Sequence, residues 1–160
     1  DFLDHDDVFA VRADNLQLTS CRIEAHARHP GLRLDHVGHA RVVVEDRAHP
    51  VTRGLPAEFE HEEEWYSWDQ SARALGFEVL LSVDESSYDP TIRFLGSETD
   101  IRMGDHPIVW WRCVGRGPAL YATMGHWGEA YENPAYVKLL ENALAWAGDP
   151  TVCAAATAED

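Results

Sequence analysis

Apolar and polar positions divide the chain into a weakly patterned start, a series of short apolar runs and one segment of helical period. The clearest run is PIVWWRCV from Pro107, whose β-branched and aromatic residues suit a pleated surface buried on at least one side. Gly115-Arg116-Gly117-Pro118 interrupts it, and its two glycines supply the positive-φ positions that a short hairpin requires. ALYATM then reads as a second strand that stops at Gly125-His126. Glycine there lets the backbone turn and leaves an imidazole beyond a strand end, where open α/β sheets bind ligands. From Pro134 the period lengthens. Tyr136, Leu140 and Leu144, with Val137 beside them, predict one helical stripe against the sheet; Asn133 is placed to cap the helix, Pro134 to start it, and Gly148 follows its last turn.

Upstream, VFAVRA reads as a short strand, LQLTSCRIEAHA as strand or helix, and the Pro- and Gly-broken RHPGLRLDHVGH as loop. ARVVVED predicts a strand and AHPVTRGLP a compact turn in which Pro50 holds His49 extended. EFEHEEEWYSWD follows. If WYSW is a strand, Trp65 and Tyr66 face opposite sides, while Glu62 and Glu64 share a face. FEVLLSVDE predicts another strand, and SSYDPTIRFLGSETDIRMGDH a loop with one short hairpin across TIRFLG. Residues 1–148 read as a single domain and 149–160 as a flexible acidic tail.

Composition narrows the function classes. At 160 residues, 45% hydrophobic and with six Trp, the chain suits one folded domain. With 28 acidic against 13 basic residues its net charge is −15, and no basic patch is visible, which argues against nucleic acid and anionic membranes as partners. No apolar run approaches the roughly 20 residues that cross a bilayer, and no charged-then-apolar start resembles a signal peptide. The expectation is a cytoplasmic chain, with a processed secreted domain as the alternative. Cys21, Cys113 and Cys153 are widely spaced without a CxxC, which predicts neither a zinc knuckle nor a disulfide framework; Cys113 reads as a small buried hydrophobe.

There is no P-loop, GxGxxG, HExxH or nucleophile elbow. His26, His29, His36 and His39 invite a metal reading, but their spacing fits no ligand frame and surface histidines are expected. The informative residues are Glu64 and Tyr66 in the acidic-aromatic run. A carboxylate beside aromatics can accept sugar hydroxyls, and a partly buried one can transfer protons; the other reading is an acidic, solvated edge before a core strand. With His126 these residues make up the candidate site.

The order of these pieces resembles the trehalose-utilisation, or ThuA-like, family. The carriers are His49 to Pro56, Glu63-Glu64-Trp65-Tyr66, Pro107 to Trp110, Gly115 and Gly117, Met124-Gly125-His126, and Pro134 to Trp146, a match recognisable from about residue 40. The resemblance implies a three-layer α/β fold of the class I glutamine amidotransferase type, a mainly parallel, flavodoxin-like sheet. The family's opening βαβ units are not visible, so a sheet edge is expected to be bare and to favour a homodimer. By carry-over, Glu64 and His126 are the acid/base pair and also the candidate ligands for a divalent metal, zinc first. Tyr66, Trp127, His49 and Trp110 are the substrate-binding set, Trp110 also reading as core. The implied function is binding and processing of a glucoside or keto-sugar, as a hydrolase or isomerase; the alternative is a non-catalytic carbohydrate-binding or interaction domain. A cysteine amidotransferase is excluded, because neither Cys21 nor Cys113 sits in an elbow.

Overall fold

A computed structural model describes residues 9–12, 18–20, 37–94 and 96–154, with side chains at 38–92 and 96–154. The strands are β1 (Phe9–Arg12), β2 (Leu18–Ser20), β3 (Val37–Val44), β4 (Glu58–Glu64), β5 (Glu78–Val83), β6 (Thr91–Phe94), β7 (Ser97–Asp100), β8 (Pro107–Val114) and β9 (Gly117–Ala122); the helix α1 is Pro134–Ala147. Seven strands form one sheet in the order β2-β1-β9-β8-β5-β3-β4, and β6 pairs with β7 apart from it.

The mainly parallel sheet that the resemblance implied is not what the chain builds here. Each pairing among the described strands is antiparallel. Linker length decides this for β8 and β9. A parallel neighbour needs a crossover of a dozen or more residues, normally helical, whereas α1 follows the last strand and β8 returns as β9 through Gly115-Arg116 alone. Gly115 carries the positive φ of 58° that this turn needs. The overall class is mixed α/β, with one helical layer among the described residues.

That layer packs on one sheet face. Val42, Leu81, Ile108, Val109, Leu120, Tyr136, Leu139 and Trp146 share the main core. The cap is as expected: the Asn133 side chain accepts from the Ala135 amide and Pro134 stands at the first helical position. The buried stripe is rotated, however, to Tyr136, Leu139, Ala143, Trp146 and Ala147, leaving Leu144 54% exposed. Trp146, the largest residue of the last turn, fixes the rotation by packing against Trp111 and His49. Gly148 continues in the right-handed region at φ −74°, so no left-handed cap ends the helix. The opposite face carries a smaller cluster of Ala72, Val79 and Trp110 under Trp68, Phe77 and Tyr121.

Several other expectations fare unevenly. VFAVRA contains β1, the hairpin expected across TIRFLG is β6 paired with β7, with TIRF forming β6, and the HP turn is a short 3-10 segment, Pro50–Thr52, capped by His49. WYSW is not a strand: β4 ends at Glu64, and the acidic run EFEHEEE is itself the strand. His26, His29 and His36 lie outside the described residues, whereas His39 is exposed on β3, 3.5 Å from Glu62. As an edge strand, β4 exposes Glu58, Glu60 and Glu62, charges that oppose pairing with an identical edge.

The cysteine reading is overturned. Cys113 and Cys153 form a disulfide across a separation of 40 residues, which pins the start of the tail, where Cys153 is 1% exposed, to the end of β8. Spacing alone hid it, because the hairpin and α1 bring together two cysteines that are distant in sequence. Closing a loop of this length constrains the unfolded chain by about 4 kcal/mol in the chain-entropy account. Reduction, or Cys153→Ser, is expected to lower Tm by on the order of 10 °C, measured by calorimetry with and without reductant.

Candidate functional site

The site is assembled where β4 runs out. Strand alternation sends Phe59, His61 and Glu63 to the inner face and Glu62 to solvent, while Glu64, the last residue of the strand, is also buried. Glu63 is completely buried. Its carboxylate accepts from the amides of Glu64 at 3.0 Å, His126 at 3.2 Å and Gly125 at 2.5 Å. Burial pushes Glu63 upward, but His61 and those three amides outweigh it and hold the carboxyl below its ordinary range.

Behind Glu63 stands a fixed histidine. Asn133 caps α1 through its side-chain oxygen, so its amide nitrogen is the donor to the Glu60 carbonyl at 2.9 Å and to His61 Nδ1 at 3.1 Å. With Nδ1 accepting, the proton of a neutral His61 is on Nε2, which lies 3.5 Å from Glu63. One cap residue therefore couples the helix start to the buried acid.

Glu63 in turn places the corner after β9. Gly125 has φ 105°, and a Cβ there would stand 2.7 Å from the Tyr131 hydroxyl and 2.8 Å from that of Tyr136. Tyr136 has no room to retreat, since it is buried and donates to the Met124 carbonyl at 2.7 Å. Glycine is thus required twice, by conformation and by space.

The corner brings His126 to Glu64. Its Nδ1 lies 2.7 Å from Glu64 Oε2, with side-chain exposures of 28% and 3% respectively. The Tyr66 hydroxyl donates to the same carboxylate oxygen and lies 3.3 Å from His126 Nδ1. Trp127 meets the imidazole edge-on at 4.5 Å, Trp68 lies 6.3 Å from Tyr66, and Tyr131 is 41% exposed. A carboxylate, an imidazole and a phenol share one oxygen beside aromatic rings. With Nδ1 directed at Glu64, His126 keeps Nε2 away from the carboxylate, an arrangement in which a proton taken up at Nε2 can be balanced by the Glu64 charge.

The structure thus brings Glu64, Tyr66, His126 and Trp127 together. His49 is placed otherwise: its Nδ1 accepts from the Val51 amide, and its ring packs against Trp111 and Trp146 at 5.3 and 5.0 Å. Trp110 is 5% exposed and stacks on Tyr121 in the second cluster, which leaves it little surface for a ligand. Glu63, His61 and Asn133 were missed as site-builders. The available signal was the period-two alternation of Phe59, His61 and Glu63 inside a run that reads superficially as uniformly acidic. A zinc site does not suit these residues. No three His, Cys, Asp or Glu side chains converge among the described residues, and Glu64 and His126 offer two donors where zinc takes three or four.

Fold and site define a mixed α/β domain with a carboxylate–imidazole–phenol group at a strand end. Residues 14–147 match the family described as ThuA, trehalose utilisation. The chain belongs to that family. Among solved structures it is similar to a ThuA-like protein from Bacteroides uniformis, with 32% identity and a TM-score of 0.55. That match covers 72% of this chain and 47% of the other, so this chain spans about half the length of its relative. No curated protein matches.

Two predictions follow from the buried groups. Because Glu63 is depressed from its ordinary 4.5, the stability it contributes is present above that pH and is lost as pH falls through the lower folded value. Glu63→Gln turns an amide NH2 towards backbone donors and should cost about 2–4 kcal/mol while flattening the acid limb, read by urea unfolding from pH 3 to 7. His49 is lowered from its ordinary 6.5 by burial, against an opposing pull from Asp46. Its contribution is therefore complete above that value and declines as pH falls below it, when the unfolded chain takes up the proton first. His49→Asn, which keeps a capping acceptor without the titration, should remove this slope between pH 5 and 7 in the same measurement.

Proposed function

We propose that the protein acts in carbohydrate metabolism, binding a glucoside or keto-sugar at Glu64, Tyr66 and His126 and moving protons on it. The observation that carries this reading is the 2.7 Å approach of His126 Nδ1 to a Glu64 oxygen that also accepts from Tyr66. In this scheme His126 Nε2 takes a proton from a sugar hydroxyl, or from carbon beside a keto group, and returns it later in the turnover. Glu64, nearly without solvent, orients the ring and balances its charge. Tyr66 keeps that carboxylate in place, and Trp127 and Tyr131 offer rings to the apolar face of a pyranose.

Isomerisation or epimerisation next to a carbonyl is favoured over two-carboxylate glycoside displacement. Glycosidases set two carboxyl groups about 5–9.5 Å apart across the scissile bond, whereas Glu63, the acid adjoining Glu64, is committed to three backbone amides. The family's description as trehalose utilisation supports sugars of that type as the first ligands to try. The second reading, a carbohydrate-recognition module, is favoured by one observation: the chain spans 47% of its structural relative, and recognition of a sugar asks for fewer groups than its turnover. For the compartment, the Cys113–Cys153 disulfide favours the extracytoplasmic alternative over the cytoplasm, where thiols are kept reduced.

The test is a panel of trehalose, other glucosides and 3-keto-sugars, followed by heat of binding and by product formation. Glu64→Gln and His126→Gln are expected to lower turnover about 10²-fold or more with binding largely kept. Binding without turnover in the parent selects the recognition module, and absence of both refutes the sugar site.

A further inference from the structure

A second buried imidazole–carboxylate pair lies behind the same site, on elements the function above does not use. His106 and Glu85 are 1% and 11% exposed, with Nδ1 to Oε1 at 3.0 Å. The other nitrogen, Nε2, lies 2.9 Å from the Tyr66 carbonyl, which can only accept, so Nε2 carries a proton. Glu85 also accepts from the amides of Met103 at 2.6 Å and Gly104 at 2.9 Å, which ties the 103–106 segment around one carboxylate. Tyr88 places its hydroxyl 3.4 Å from His106 Nδ1 and closes that side.

Tyr66 needs such support. It lies two residues beyond the end of β4, where pairing with β3 stops at Glu64, and its hydroxyl must meet Glu64 and His126 within hydrogen-bond reach. Its segment is held chiefly from residues 101–106: Ser67 Oγ donates to the Ile101 carbonyl at 2.6 Å, Trp68 N approaches Met103 Sδ at 3.3 Å, and His106 grips Tyr66 itself. The His106 backbone is anchored independently, its carbonyl accepting from the Val83 amide at 3.0 Å. An imidazole with rigid backbone on one side and a carboxylate on the other is a fixed strut.

We propose that His106, oriented by Glu85, is a positioning residue of the sugar site: it sets the Tyr66 main chain and thereby the hydrogen bonds among Tyr66, Glu64 and His126. The inference rests on the functional reading above for its purpose, but its test does not. Imidazole N–H resonances of the full chain are recorded without sugar, and the His126 Nδ1–H signal is assigned by its loss in His126→Gln. In His106→Leu that signal is expected to disappear or move to the solvent-exchanging position. In His106→Gln, whose amide can still donate to the Tyr66 carbonyl, it is expected to be retained. Glu85→Gln should weaken it by loosening the strut, and supplies the comparison if His106→Leu does not fold. A signal unchanged in folded His106→Leu, or unchanged in Glu85→Gln when His106→Leu is unfolded, overturns the proposal. Equal loss in His106→Leu and His106→Gln also overturns it, because a merely structural defect gives no rescue. A parent that shows the signal but neither binds nor turns over any sugar of the panel overturns the functional reading alone.

Discussion

The carboxylate of Glu63 is the constraint on which the site depends. A charge removed from water must be met by donors, and here they are the amides of Glu64, Gly125 and His126. β4 and β9 are separated in the sheet by β8, β5 and β3. The segment after β9 therefore has to cross the strand ends to reach β4, and Glu63 holds it there. Asn133 repeats the contact a few residues later by donating to the Glu60 carbonyl, so the crossing segment is fastened at both of its ends.

Once that crossing is fixed, the candidate site follows from geometry. Gly125 permits the corner, His126 follows it, and the next residue of β4 after Glu63 is Glu64, the imidazole's partner. Neighbouring acids have opposite duties: Glu63 is consumed by backbone amides, and Glu64 is left to an imidazole and a phenol. Two buried histidines flank the arrangement, His61 on the Glu63 side and His106 on the Tyr66 side. His126 is the most exposed of the three, at 28%, as the proposed role in proton transfer requires.

The remainder of the fold serves this end of the sheet. α1 begins at Asn133, which supports His61, and its last turn wedges Trp146 against His49 and Trp111. The disulfide fastens the following turn to β8. His49, placed in the motif that carries the family resemblance, works as a capped and ring-packed corner rather than beside Glu64, Tyr66 and His126.

Local chemistry was legible in the residues themselves. The Gly115-Arg116 hairpin, the strands of β-branched and aromatic residues and the Asn-Pro helix start all follow from short-range rules, in which a residue's neighbours in sequence are its neighbours in space; the meeting of the Glu-x-Tyr segment with the Gly-His corner, 60 residues apart, was implied only by the family resemblance. Strand direction, the rotation of α1, the Cys113–Cys153 bond and the division of labour between Glu63 and Glu64 were not legible. Each depends on which groups meet across a long separation: Trp146 with Trp111, Cys113 with Cys153, Glu63 with the amides of Gly125 and His126. A run of acids announces only charge. Whether one of them faces water, backbone amides or an imidazole is decided when the chain folds over it, because burial and hydrogen-bond partners are properties of the assembled structure.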